Sequence, residues 1–267
     1  MSESYTPMTP PPSYAPPTTS GPDAPEMSTP ETLANIFFEP GRTFEALRAR
    51  PRFVVATLLT AAMFLLFTVL VFQKINYNDM VRAAIESSPQ TAQMTDEQKE
   101  RAIEMQSGPI FKTLAYAGPV ISIFLVLAVG AGIYLLGTMA MGKAMTYQQA
   151  LAVWAYSSFP PVVLMMLANI IILFVNPPDV SEAATATRGL VHANLSLLVN
   201  RTEQPVLATL LGTFDLFKIY GLFLAAIGLQ KIARLSAGAA WTVVIVITLI
   251  GALVAVIFAA VMGQPMA

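Results

Sequence analysis

The stretch GTFDLFKIYGLFLAAIGL, residues 212–229, sets an acid and a base three positions apart, Asp215 and Lys218, inside an otherwise apolar run. On one helix that spacing makes them neighbours on a single face. Helical side chains lean toward the N-terminus, so Lys218 reaches back over Asp215. A lone charge at mid-bilayer costs about 2.5–3.5 kcal/mol on insertion scales, and an opposite partner offsets that cost. Two chemistries fit. The residues form a self-neutralising intramembrane ion pair that fixes packing, or they border a wet path for an ion or small solute. The first reading is preferred and transport is the alternative.

Catalysis needs more than this pair. An intramembrane aspartyl protease requires two carboxylates, one as base and one as acid. Asp215 is the sole Asp or Glu within the apolar runs. A serine-type site needs a buried base, and the single histidine, His192, falls in a polar connection. HExxH, a Walker loop and GxGxxG are absent, and with 0 cysteines there is no thiol chemistry, disulfide or Cys-based metal site. The chain therefore reads as no enzyme, with no catalytic residue, no cofactor and no metal. No Lys/Arg-rich run suggests a nucleic-acid partner.

Other residues carry geometry. Pro160-Pro161 removes two amide donors and adds ring clashes, so a helix through them is a candidate bend. Small residues four apart, Gly221/Ala225, Gly251/Ala255 and Ala128/Gly132, permit close helix approach in lipid.

These residues need elements to hold them. Of the 267 residues 55% are hydrophobic and 12% charged, half the charge of an ordinary soluble domain, and mean hydropathy is +0.62. Five apolar runs lie at about 53–73, 110–141, 150–175, 206–229 and 241–262. Each is long enough to cross a hydrocarbon core of about 30 Å. Only helices suit runs of this length, since barrel strands are shorter and alternate. The second run exceeds one crossing and is expected to begin as an interfacial turn before Pro119. The fold class is all-α integral membrane protein with five transmembrane helices.

Residues 1–30 are Pro-rich and polar and predict a disordered tail, with a Pro11-Pro12-Ser13-Tyr14 pattern inside it. Residues 31–52 repeat Leu33, Ile36 and Phe37, then Phe44 and Leu47, about a Pro40-Gly41 break. This predicts two short amphipathic helices with their apolar sides in the headgroup boundary. Residues 53–262 are then the membrane domain. In its connections, Thr95-Asp96-Glu97-Gln98 has capping-box form and starts a polar helix ending at Gly108-Pro109. Residues 183–199 show helical apolar spacing and predict a helix on the outer surface.

Several stretches together resemble the Yip-domain family of Ypt/Rab-interacting membrane proteins, in its bacterial branch. They are ETLANIFFEPGRTFEALRARP before the first run, Gly118-Pro119 opening the second, Tyr156 to Pro160 in the third, and Ile219-Tyr220-Gly221-Leu222 through Leu229 in the fourth. The resemblance implies a five-span bundle with a cytoplasmic N-terminus. It carries no defined molecular activity to this chain. The expected function is a non-enzymatic, multi-pass membrane protein that organises membrane or partner proteins. Its partners are the lipid bilayer, unidentified proteins or further copies of itself, and its expected place is a bacterial inner membrane.

Arg42, Arg48, Arg50 and Arg52 precede the first run, and Lys231 and Arg234 precede the last. Basic residues accumulate on the cytoplasmic side, so the N-terminus is expected inside and the C-terminus outside. A reporter active only outside the cytoplasm should work when fused after Met262 and fail near Met27. The reverse pattern would reject this orientation.

Overall fold

In a bilayer, a backbone that crosses must satisfy its own amides and carbonyls, and the helix does so within one segment. The computed structural model describes residues 26–185, 189–191, 193–201, 203–263 and 265; the Pro-rich stretch up to residue 25 and His192 lie outside them. Every regular element of the described residues is helical. In order these are α1 (Thr29–Asn35), α2 (Pro40–Ala49), α3 (Val54–Lys74), α4 (Tyr77–Ser87), α5 (Asp96–Gln106), α6 (Pro109–Ala140), α7 (Tyr147–Val175), α8 (Val180–Thr185), α9 (Pro205–Gly212), α10 (Leu216–Ile232) and α11 (Ala237–Met262). Helices α3, α6, α7 and α11 are each long and apolar enough to cross a membrane alone.

The fourth run differs from its expected form. It is two helices, α9 and α10, bent by 44° at a break over residues 213–215, and it makes a fifth crossing only as that bent pair. The second run differs too. Helix α6 is continuous from Pro109, and Pro119 lies inside it. Pro109 suits a first helical position, where no amide partner is needed. At 32 residues, α6 is roughly 48 Å long, well beyond the hydrocarbon thickness.

Helix α7 is the hub and packs against α10, α6, α3 and α2. Its sequence is apolar on every side, as an interior helix requires, and Ala150, Ala152, Val153, Tyr156 and Met166 are fully covered. Glycines set the closest approaches. A Cβ on Gly130 would come within 2.4 Å of the Trp154 ring, one on Gly137 within 2.6 Å of Val243, and one on Gly228 within 3.0 Å of Phe44 and 3.1 Å of Val153. Gly221 faces the Ser157 carbonyl and Pro161 across the α10–α7 contact, while Gly132 and Gly251 meet nothing within 4 Å. One of the three small-residue pairs is thus seen to serve packing within the chain.

The amphipathic segment forms the expected two helices, with a different environment. Pro40 begins α2 at its first turn, and α1 starts at Thr29, capped by a reciprocal Ser28–Glu31 box. Ile36, Phe44 and Leu47 are fully buried in the same core as Val153 and Leu229. The apolar sides expected to enter the headgroup layer therefore lie on α7 and α10. Shape explains this: Gly228 leaves a notch that seats the Phe44 ring, a close fit that a fluid headgroup layer does not offer.

At the opposite end α4 and α5 form a hairpin around Val81, Ile85 and Ile103. The Thr95–Gln98 capping box is present as expected. Arg82 forks onto Glu100 at 2.7 and 3.3 Å. Its hydrogen bond, then its charge, hold the Glu100 carboxyl below the ordinary range. The described residues of 183–199 do not form the expected surface helix. Among them only the end of α8 and a 3-10 turn, Leu195–Leu198, are regular, and Leu190 is buried.

Gly228→Val should overpack the Phe44–Val153 contact and cost about 1–3 kcal/mol, read as a fall of several degrees in the melting temperature of the detergent-purified protein. Gly251→Val, in open space, should leave melting nearly unchanged.

Candidate functional site

Two polar side chains inside the apolar runs account for the irregular loop. Asn169 sits on α7 and is fully buried. Its Oδ1 accepts from the amides of Leu190 and Val191, and its Nδ2 donates to the Met165 carbonyl at 2.8 Å. An apolar run contains this amide because a loop backbone entering the bundle needs a partner where water is absent. Gly189 makes the approach possible. Its φ is +120°, and a Cβ there would stand 2.6 Å from Asn169 Oδ1.

Asp215 completes the arrangement. It occupies the N-cap of α10, where its Oδ1 accepts from the amides of Phe217 and Lys218 at 2.9 and 3.3 Å. Its Oδ2 accepts from Asn194 Nδ2 at 3.3 Å, and the Leu216 amide donates to the Ala193 carbonyl at 3.1 Å. A break in a membrane helix exposes amide donors, and a carboxylate at the new N-terminus satisfies them and suits the helix dipole. Asp215 is thus half-buried at a helix start, and Lys218 lies one turn on with an exposed side chain. The charge that looks out of place on a continuous helix is in place at a break.

The remaining predicted residues lie in α6 and α7. Gly118 and Pro119 line a cavity between α3, α6 and α7. Tyr156, Pro160 and Pro161 are buried on α7, which keeps its helical assignment through both prolines. Sequence reasoning missed Asn169 as a loop anchor and Gly189 as its counterpart. Asn169 was legible as the one carboxamide inside its run, but its partner twenty-one residues away was not.

A second surface lies at the other end of the bundle, where α1 and α2 form a platform. Phe44 seats on Gly228, and the Phe37 ring meets Phe159 edge-on at 6.0 Å. Gln149 Nε2 donates to the Arg48 carbonyl at 2.9 Å, and Lys231 pairs with Glu45 at 2.6 Å. Arg52 ties the start of α1 down by donating to the Met27 carbonyl and to Thr29 and Thr32. The outer side carries Arg42 and Arg50, in exposed pairs with Glu39 and Glu26. Phe38 stands out between the two helices, 84% exposed. Among the described residues no group of three or more His, Asp and Glu could hold a metal ion.

Known proteins resemble this chain along most of its length. A family model described as Yip1 domain matches residues 34–259. The membrane protein YknW of Bacillus subtilis (strain 168) is 27% identical over 216 residues, covering 81% of this chain and 84% of that protein. No solved structure gives a significant match.

The cap role of Asp215 separates it from a pure ion-pair role. Asp215→Asn keeps a capping oxygen and should cost a few tenths of a kcal/mol, whereas Asp215→Ala should cost about 0.5–2 kcal/mol. Chemical unfolding of the purified protein would rank them. Equal losses for both, recovered on adding Lys218→Met, would show that the charge pair dominates.

Proposed function

This chain belongs to the Yip1 domain family, and from that premise we propose that it is a non-enzymatic membrane scaffold whose α1–α2 platform receives protein partners. The observation that carries the proposal is the platform itself. An amphipathic pair that could have lain loosely on lipid is fastened to the bundle by Phe44 on Gly228 and by the Lys231–Glu45 pair. A rigid helical surface loses little entropy on docking a partner. The platform offers an exposed aromatic, Phe38, about one turn before Arg42, with Arg50 at the far end of α2, and aromatic and Arg side chains are the usual anchors of interfaces. The proposal places this face in the cytoplasm of a bacterium and the protein in the inner membrane. The expected boundary at residue 30 moves back, because Ser28 caps α1 and Arg52 holds Met27 and Thr29; residues 26–52 are then the platform and 53–262 the membrane domain. Self-association through the same face is one form this function takes.

Transport is the second reading, with Asp215 and Lys218 on a polar path and Pro160-Pro161 as hinge. The engagement of both Asp215 oxygens, by amides and by Asn194, favours the structural role over that path.

Crosslinking from native membranes tests the scaffold reading. Phe38→Ser with Arg42→Gln should abolish the crosslinked partners, while membrane insertion and melting stay unchanged, because both side chains lie outside the core and three of the four arginines before the first run remain. Partners retained by the double variant would reject the platform. Solute uptake by proteoliposomes that disappears on Asp215→Asn would establish the transport reading instead.

A further inference from the structure

The cavity between α3, α6 and α7 has a volume of about 690 Å³, within the size range of ligand sites. Its wall on α3 runs from Thr57 to Phe72 and its wall on α6 from Ala115 to Leu127. At 1.5 Å per residue these walls are roughly 18–23 Å long, so the cavity is a slot along the helix axes. One half of a bilayer core is about 15 Å deep, so the slot is the length of an acyl chain with a small excess.

Protein side chains line both ends of the slot. At the platform end the Trp154 ring lies on α6 at Gly130 and meets Tyr134 at 5.0 Å. At the other end Met80, Ala183, Gly189 and Leu190 form the lining, the last two held by Asn169, and Phe72 meets Tyr116 edge-on at 4.9 Å. The side is different. Ser122 and Val126, on the α6 wall, are exposed and adjoin the exposed Ile121 and Leu125. The slot is thus continuous with the lipid-facing surface of α6.

The lining offers no free polar handle at its hydroxyls of α3 and α6. Thr57, Thr60 and Thr68 each donate to the carbonyl four residues earlier, and Ser122 donates to Pro119, all at 2.8–2.9 Å. With their donors engaged, the threonines present methyls, and all four hydroxyls only lone pairs, beside Phe64, Phe67, Ile123 and Val162. Such a surface suits hydrocarbon and gives a hydrated solute little to bind. Charge marks the headgroup end. Lys74 and Lys112 lie within about a turn, along their helices, of Phe72 and Tyr116, and the Lys74 ammonium sits over the Phe174 ring at 4.7 Å, at the level where a phosphate would lie.

We propose that this slot is a lipid-binding site, which takes one acyl chain of a membrane phospholipid through its open side, the headgroup resting at the Lys74 and Lys112 level. Gly118 and Pro119, both in the lining, are then part of its wall. A Cβ on Gly118 meets nothing within 4 Å, which leaves the width of a chain at that point.

Trp154 makes the site readable, because the chain has 2 tryptophans and Trp241→Phe leaves it alone. The full-length variant is reconstituted in vesicles of phosphatidylglycerol and phosphatidylcholine brominated toward the chain ends. Bromine in the slot should quench Trp154 strongly, and Gly118→Leu or Ser122→Phe, each filling the slot, should remove most of that quenching. Melting curves identify any variant that has not folded, and the other then serves. Native mass spectrometry of the unmodified protein should find phospholipid retained, with less on the filled variants. Quenching that survives both fillings would place the lipid outside the slot and overturn the proposal. Trp154 quenched by aqueous acrylamide rather than by bromolipid would do the same, by showing a wet path. Neither readout depends on the platform, so a failed partner assay and a failed lipid assay are distinguishable.

Discussion

Where water is excluded, each amide and carbonyl must find its partner inside the protein, and the structure follows from how this chain meets that demand. Most of the backbone meets it by being helix. The exceptions are the break between α9 and α10 and the loop after α8, and each has a polar side chain assigned to it. Asp215 caps the broken helix, and Asn169 receives the amides of Leu190 and Val191. Gly189, whose φ of +120° few other residues adopt, lets that loop approach. Thr57, Thr60 and Thr68 obey the same rule by turning their hydroxyls back to their own helix.

Packing in lipid lacks the hydrophobic drive that operates in water, so close fit has to replace it. The fit here is made by glycines opposite large rings: Gly130 under Trp154, and Gly228 under Phe44. The second extends the bundle beyond its spans, because Phe44 belongs to α2. One notch on α10 thereby links a membrane helix to the platform, and the surface pair of Lys231 and Glu45, with both side chains over 40% exposed, adds little by comparison.

The two ends of the molecule differ in chemistry. The platform end shows an exposed phenylalanine and exposed arginines at both ends of α2, which fits a contact surface. The other end shows a charged hairpin and a loop folded into the bundle, with the slot beneath it. A scaffold that also holds a lipid would have its α3–α6–α7 geometry tied to that lipid's presence, since filling a cavity changes the packing of its walls.

The sequence by itself determined the class of the fold. Long apolar runs with so little charge admit only membrane helices, and four of the five are single helices long enough to cross. It also determined local events set by neighbouring residues, such as the Thr95–Gln98 box, and the family, carried by motifs in order. Tertiary structure decided what depends on distant partners. Residues 206–229 are long and apolar enough for one span apart from Asp215 and Lys218, so the pattern predicts one helix, and only the contact with Asn194 and Ala193 explains why the chain breaks there. The amphipathic faces of α1 and α2 fit a membrane surface or a protein groove equally well, because hydrophobic burial is non-directional. The notch at Gly228, nearly two hundred residues downstream, settled it.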